Sequence, residues 1–267
     1  MKKLMVLALF FCGFLMSFAQ EIIPFQEGKK YGYKSKWTNE VVIAPTYDYG
    51  DYFYGGYAKV VNNDKTGYID AKGAVVIDLI YDGGSGFSDG FAVVLIKEMR
   101  GFIDAKGKAI TAFKYEGANS FSEGLAMVQY NGKWGFIDTT GKEVIGFWYE
   151  EGRSFTNGLS SVRLNGKYGA INKSGATVIP AKYDDFIYFE EEEEDGEPGA
   201  IVKAGGKVGV VNASGKEIIP VKYQQVVQYR GNEAWVQYND KWGIVDTSGK
   251  EVVPITFPTL DKLYHSD

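Results

Sequence analysis

The sequence almost lacks the residues that most often carry metal and redox chemistry, with one cysteine, Cys12, and one histidine, His265, among 267 residues. Cys12 lies in an apolar leader, so the rest of the chain has no thiol for a disulfide or a thiolate metal site, and its stability must come from packing. A zinc site would lack its usual ligands. No cofactor and no metal is expected. A basic stripe is missing too: Lys and Arg are interspersed with Asp and Glu, and the formal charge is −5, or −7 once Lys2 and Lys3 depart with the leader. That balance argues against nucleic-acid binding, which requires phosphates to be neutralised along a basic surface. Proline is scarce and helix-favouring runs are few, whereas the 34 Gly, 19 Tyr and 17 Phe point to strands and turns. The fold class is all-β.

Lys2 and Lys3 precede an apolar run from Leu4 to Met16, and Ser17-Phe18-Ala19 then sets small residues three and one positions before a cut ahead of Gln20. Residues 1–19 are therefore expected to be a secretory signal peptide, with residues 20–267 forming a single domain in the periplasm or outside the cell. The run is shorter than the ~20 apolar residues that span a bilayer. Phe10 and Phe11 before Cys12 speak against lipoprotein processing, which accepts small residues there.

What the chain does have is a period. Glycines Gly32, Gly67, Gly101, Gly135, Gly169, Gly209 and Gly243 anchor seven similar units at intervals of 35, 34, 34, 34, 40 and 34 residues. Such recurrence marks supersecondary units that bury their faces against one another. Each unit reads as three strands, for example Leu125–Val128, Trp134–Asp138 and Glu143–Tyr149. Asn131-Gly132 turns the first into the second. The second hairpin opens on Asp70, Asp104, Asp138, Asn172, Asn212 or Asp246, and a glycine three residues later supplies the positive φ. An aromatic residue closes the third strand, as Tyr47, Tyr81, Tyr115, Tyr149, Tyr183, Tyr223 or Phe257. A second follows six residues on, as Phe53, Phe87, Phe121, Phe155, Phe189 or Tyr229. These rings are expected to stack as a continuous ladder through the core. The anchoring glycine, placed inside a strand, is expected to admit a neighbouring ring or backbone. The first unit is atypical, with Thr38 in place of the turn glycine, and the fifth carries an acidic insertion, Glu190–Glu197, that reads as an exposed loop.

The cores Lys133-Trp134-Gly135-Phe136-Ile137-Asp138 and Lys241-Trp242-Gly243-Ile244-Val245-Asp246, with the Gly-Lys-Glu-Val and aromatic residue that follow each, resemble the bacterial WG-repeat family over residues 29 to 257. Five units depart at the tryptophan, where Tyr31, Thr66, Arg100, Tyr168 and Val208 stand. The resemblance implies secreted or envelope-associated β-repeat proteins and carries over no catalytic residue.

Gly86-Phe87-Ser88-Asp89-Gly90 matches the G-x-S-x-G nucleophile elbow. Equivalent loops read Ser120-Phe121-Ser122-Glu123-Gly124 and Ser154-Phe155-Thr156-Asn157-Gly158, and the sole histidine lies in the tail, so Ser88 has no base in prospect. Gly101 to Lys108 and Gly135 to Lys142 miss the phosphate-loop spacing by one residue. Asp48, Asp51, Asp89, Glu123, Glu150, Glu151, Asp184 and Asp185 are available for glycoside hydrolysis, yet most occupy repeated turn or loop positions. No catalytic residue is assigned.

Two variable slots matter more. The residue before the recurring aromatic is Ile80, Lys114, Trp148, Lys182, Lys222 or Thr256. The slot between the recurring Ala and Val of the first strand is Lys59, Val93, Met127, Ser161, Ile201 or Trp235. Trp148 and Trp235 stand where other units tolerate lysine, and exposed tryptophan stacks on sugars or anchors partners. They are the candidate binding residues.

The expected architecture is an open, twisted stack of seven three-stranded antiparallel meanders, with a seven-bladed β-propeller as the alternative, since a propeller blade usually has four strands and more residues. The expected function is a non-enzymatic extracytoplasmic binding or scaffold module for an envelope polymer or protein. The alternatives are a lectin-like glycan-binding module and a carbohydrate-active hydrolase using two loop carboxylates.

Overall fold

The computed structural model describes residues 21–185, 187, 199–230 and 232–265. The signal peptide expected at 1–19, Phe189 and the acidic Glu190–Glu197 insertion lie outside the described residues. Among the described residues 25 strands form seven antiparallel sheets, one for each unit. The first sheet is β1 (Ile22–Glu27), β2 (Lys30–Ser35) and β3 (Val41–Tyr47), and the second β4 (Tyr49–Tyr54), β5 (Tyr57–Asn62), β6 (Lys65–Asp70) and β7 (Val75–Tyr81). The third comprises β8 (Gly83–Gly84), β9 (Phe91–Ile96) and β10 (Met99–Asp104). The fourth has β11 (Gly117–Ala118), β12 (Leu125–Tyr130), β13 (Lys133–Asp138) and β14 (Glu143–Tyr149). In the fifth come β15 (Glu151–Gly152), β16 (Leu159–Leu164), β17 (Lys167–Asn172) and β18 (Thr177–Tyr183), and in the sixth β19 (Gly199–Ala204), β20 (Lys207–Asn212) and β21 (Glu217–Tyr223). The seventh is β22 (Gln225–Arg230), β23 (Glu233–Tyr238), β24 (Lys241–Asp246) and β25 (Glu251–Phe257), followed by α1 (Leu260–Tyr264).

Five sheets gain a leading strand beyond the expected meander (β4, β8, β11, β15 and β22), because the chain leaving the preceding unit pairs at once with the first hairpin of the next, and the third sheet in turn keeps only isolated bridges in place of its last strand. Gly117 and Ala118 pair with Gln129 and Val128, and Glu151 and Gly152 with Arg163 and Val162. Every sheet keeps its strands in sequence order, so no crossover connection arises.

The second hairpin of the unit follows the expected chemistry. Asp138 Oδ1 accepts from the backbone N–H of Thr140 at 2.9 Å and of Lys142 at 3.1 Å, and Gly141 sits at φ +81°. The same pair of bonds recurs at Asp70, Asp104, Asn172, Asn212 and Asp246.

The anchoring glycine makes room for backbone in six units. A Cβ on Gly135 would stand 2.7 Å from the carbonyl oxygen of Ile145. The cause is a bulge: Trp134 pairs with Tyr149 and Phe136 with Ile145, so Gly146-Phe147-Trp148 arch over a single glycine. Pro180, Pro220 and Pro254 open the same bulge in later units, where an edge strand tolerates a residue with no N–H. In the third unit a ring takes the backbone's place, with Phe113 lying 3.0 Å from where a Cβ of Gly101 would be.

The core lies between successive sheets. Tyr115, Tyr149, Tyr183 and Tyr223 are all buried, as are Phe121 and Phe155. The continuous ladder expected from the sequence is instead a series of edge-on or tilted pairs, each joining one sheet to the next. Tyr33 meets Phe53, Tyr68 meets Phe87, Phe102 meets Phe121 and Phe136 meets Phe155, with centroids 4.9–5.0 Å apart. The partner of the loop ring is therefore the residue after the anchoring glycine, which points across the gap because the strand alternates there.

Among the described residues no sheet pairing and no core cluster joins the first sheet to the seventh. The array is open. At its far end Leu263 of α1 is buried with Trp242 and Ile244, and the helix covers the face that an eighth sheet would otherwise cover. Among the described residues no helix is long and apolar enough to cross a membrane.

Candidate binding site

The two candidate tryptophans have different surroundings. Trp148 is 65% exposed in the bulge of β14, and its indole lies so close over Gly146 that a Cβ there would meet Cε2 at 2.8 Å. Glycine thus supplies a flat seat for one face of the ring. Ile80, at the same place in the second unit, is also exposed, and Lys182 and Lys222 lie over the rings of Tyr183 and Tyr223. This slot is an outer face, as the mixture of residues implied.

Trp235 is not on such a face. Its slot is buried against the following sheet in the third, fourth and fifth units, at Val93, Met127 and Ser161, whereas Ile201 of the sixth is exposed; Trp235, having no following sheet, is half-buried against Tyr264 at 4.5 Å. Lysine is tolerated at this slot only near the start of the array, where Lys59 reaches Asp51 at 3.4 Å and the ring of Tyr49. Residue type alone does not mark this direction, because the slot is occupied by lysine in one unit and tryptophan in another.

The loop residues proposed for chemistry act as clips. Ser88 Oγ donates to the carbonyl of Phe121, and Ser122 Oγ to that of Phe155, both at 2.8 Å, so the apparent nucleophile elbow fastens one unit to the next. Asp89 accepts from the N–H of Gly124 at 3.1 Å, and Glu123 from that of Gly158 while pairing with Lys173 at 2.9 Å. Asp48 and Glu150 accept from the N–H groups of Asn63 and Gly166 in the hairpin beside them, at 2.8 and 2.9 Å. Lys167 binds Asp184 in the same way that Lys30 binds Asp48. The Lys30 hydrogen bond, helped by Asn63 N–H, holds the Asp48 carboxyl below its usual range.

Glu151 is the exception among them. It helps line a cavity of about 570 Å³ together with Asn119, Arg153, Ser154, Thr156, Leu159, Ser161, Ala170 and Ile187. Two of its lining residues are smaller than their counterparts in the preceding units. Residues directly opposite each other on the first two long strands are Val93 and Phe102 in the third unit and Met127 and Phe136 in the fourth, but Ser161 and Ala170 in the fifth. Met127 fills the gap between its sheet and the next so completely that a Cβ on Gly152 would lie 2.4 Å from its Cε. Ser161 cannot reach as far, and its Oγ instead accepts the N–H of Ile187 at 3.0 Å.

The walls are held in place by backbone and charge. Arg153 N–H donates to the carbonyl of Ser161 at 3.0 Å, and Ser160 Oγ to the carbonyl of Arg153 at 2.7 Å. Tyr168 OH donates to Glu151 Oε2 at 2.6 Å, and Arg163 lies 3.9 Å from the same oxygen. Burial and then the Glu151 carboxylate push the Tyr168 hydroxyl up to about 12, so it remains a donor at neutral pH. Glu151 keeps 46% of its side chain exposed, which leaves its carboxylate accessible from solvent. A second, smaller cavity of about 260 Å³ occurs two units earlier, lined by Ser85, Val93, Ala118 and Ser120 among others, where Val93 and Phe102 keep their bulk.

An exposed aromatic cluster lies near the start of the array. Tyr49, Tyr52 and Tyr54 are exposed on β4, an edge strand, and Trp37 is exposed in the turn between β2 and β3. The density of tyrosine between residues 47 and 57 was the available signal.

The family model described as WG containing repeat matches residues 31–65, 67–98, 101–134, 134–168, 168–207, 209–242 and 242–260. No curated protein matches the sequence. Among solved structures the chain is similar to a eukaryotic initiation factor, at 12% identity over 89% of this chain and 74% of that one, with a TM-score of 0.51. It is also similar to Hsv2p of Kluyveromyces lactis, at 12% identity over 85% and 89% with a TM-score of 0.43. A third is PorZ, a surface component of the type-IX secretion system of Porphyromonas gingivalis, at 9% identity over 90% and 37% with a TM-score of 0.37. At these identities the likeness concerns the fold alone.

Proposed function

The chain belongs to the WG containing repeat family, and from that premise we propose that it is a non-enzymatic binding or scaffold module, exported by its leader, that holds an envelope polymer or a protein in the periplasm or outside the cell. The observation that carries this reading is the exposed indole of Trp148, seated on Gly146 in a bulge. A large ring already fixed on one face loses little freedom when its other face is covered, and tryptophans of this kind dominate binding energies. Repetition adds to the effect, since similar outer faces on successive units multiply weak contacts along a long ligand. The carboxylates that a hydrolase would draw on are largely engaged in clipping hairpins and sheets together.

The test uses residues 20–267 immobilised and exposed to purified envelope polysaccharide and to envelope proteins, beside the Trp148→Ala variant. Retention of one ligand that drops about tenfold or more in the variant is the expected result, in line with loss of an aromatic anchor. Equal retention by both proteins would remove Trp148 from the reading. Turnover of any polysaccharide, abolished by a single Asp or Glu substitution, would overturn its non-enzymatic part.

A further inference from the structure

We infer that the cavity at the fifth unit is a subsite for a short neutral oligosaccharide, a reading that rests on the chain being a binding module and gives that module a ligand class. Two features of the cavity support it. The first is its size. Ser161 and Ala170, which stand where the preceding unit has the Met127–Phe136 pair, are among the residues lining a cavity of about 570 Å³, within the range of small-molecule sites.

The second feature is the chemistry of the lining. Glu151 offers a carboxylate that accepts hydroxyl protons, Arg153 offers guanidinium donors, and Asn119, Ser154 and Thr156 offer groups that do both. A sugar presents closely spaced hydroxyls that alternate between giving and accepting, which is the pattern such a set can satisfy. Leu159, Ala170 and Ile187 supply apolar surface for the C–H faces of the ring. The charges argue for a neutral sugar over an acidic one. Glu151 lies within reach of Arg163 and shares the cavity with Arg153, so neither an anion nor a cation is needed to complete the site.

Part of the lining is also positioned before any ligand arrives. Tyr168 fixes one oxygen of Glu151, and the backbone of Arg153 is hydrogen-bonded on both sides. A pre-set site loses less on binding than one that must be ordered.

The experiment is titration calorimetry of residues 20–267 with neutral trisaccharides built from glucose, mannose, xylose and N-acetylglucosamine, and with a galacturonate trisaccharide. One neutral trisaccharide is expected to bind, and the galacturonate one is not. Ser161→Met, which restores the residue of the preceding unit, should abolish binding by filling the cavity. Arg153→Ala, at the exposed mouth, should weaken it about tenfold or more through loss of a charged hydrogen bond, and it does so without touching the core if the Ser161 variant fails to fold. Ser161→Met and Arg153→Ala leave Trp148 and its seat on Gly146 untouched, so this result and the outer-face result are read separately. Binding to galacturonate alone, no binding to any neutral sugar, or binding unchanged in both Ser161→Met and Arg153→Ala would each overturn the assignment.

Discussion

Ser122 donates its hydroxyl to the backbone carbonyl of Phe155, a residue of the next unit, at 2.8 Å. Phe155 in turn places its ring 4.9 Å from Phe136, so one loop is tied by its carbonyl and packed by its ring. Ser88 and Phe121 repeat the relationship one unit earlier. The array is thus held by a pair of contacts at each of these junctions, one polar and one aromatic, and the polar one uses the serine that most resembles a nucleophile.

Replacing Ser122 with alanine removes that bond and leaves the Phe155 carbonyl without its donor. The expected cost is about 1 kcal/mol, the usual net worth of an intramolecular hydrogen bond. A lower urea midpoint with an unaltered β-sheet circular dichroism spectrum is the outcome to look for. A midpoint equal to the parent's would mean that the clip contributes nothing.

Gly135→Ala should be worse. The new methyl would stand 2.7 Å from the Ile145 oxygen, a backbone atom that moves only if the bulge of β14 moves. Overpacking of this kind costs about 1–3 kcal/mol. Gly132→Ala adds its methyl in open space but at φ +73°, so it isolates the strain of a positive φ from the steric conflict. Comparing their urea midpoints separates the two causes, and Gly135→Ala should be the less stable.

The fold was legible because local chemistry and long-range packing repeat together. Asp138 and Gly141 announce the hairpin through turn chemistry alone, and the 34-residue interval announces the stacking. The direction of the Lys59-to-Trp235 slot was not legible. Whether a strand's face meets solvent or another sheet depends on where the following unit lies, and the turn residues say nothing about that. Trp148 and Trp235 accordingly read alike, although one is exposed in a bulge and the other lies under α1. The cavity was hidden for a related reason. Ser161 and Ala170 look like ordinary small residues in their own strands, and only the pairing of β16 with β17 brings them opposite each other.

Acid should loosen the junctions. Hydrogen bonds from Lys65 to Asp82 and from Lys167 to Asp184 hold both carboxyls below the ordinary range, as the Lys30 bond does for Asp48. For Glu123, burial acts upward but is outweighed by Lys173 and the Gly158 N–H, so it too is lowered. A depressed folded value means that the stabilisation is fully present above the unfolded value of about 4 and is lost as pH falls through the lower folded values. The urea midpoint should therefore decline below about pH 4, and Asp82→Asn should make that decline shallower. A midpoint that is flat down to pH 2 would contradict the assignment.

An open array is longer than a ball. A compact globule of the length of residues 20–267 has a radius of gyration of about 18 Å. Small-angle scattering should give a clearly larger value, whereas a closed ring would fall near the compact figure.

The helix at the end of the array should matter to the last unit and to little else. Leu263 is 3% exposed and packs on Trp242 and Ile244, while Tyr264 covers Trp235. Truncating such a buried leucine to alanine usually costs about 2–5 kcal/mol. In a linear stack each unit draws its stability from its neighbours, so the loss should stay near the end where it is made. Hydrogen exchange of Leu263→Ala should show faster exchange of amides in β23, β24 and β25, with those of β12, β13 and β14 unchanged. Uniform loss of protection through all seven sheets would mean that the chain unfolds as one cooperative body, and the description of its core as separate junctions would have to be abandoned.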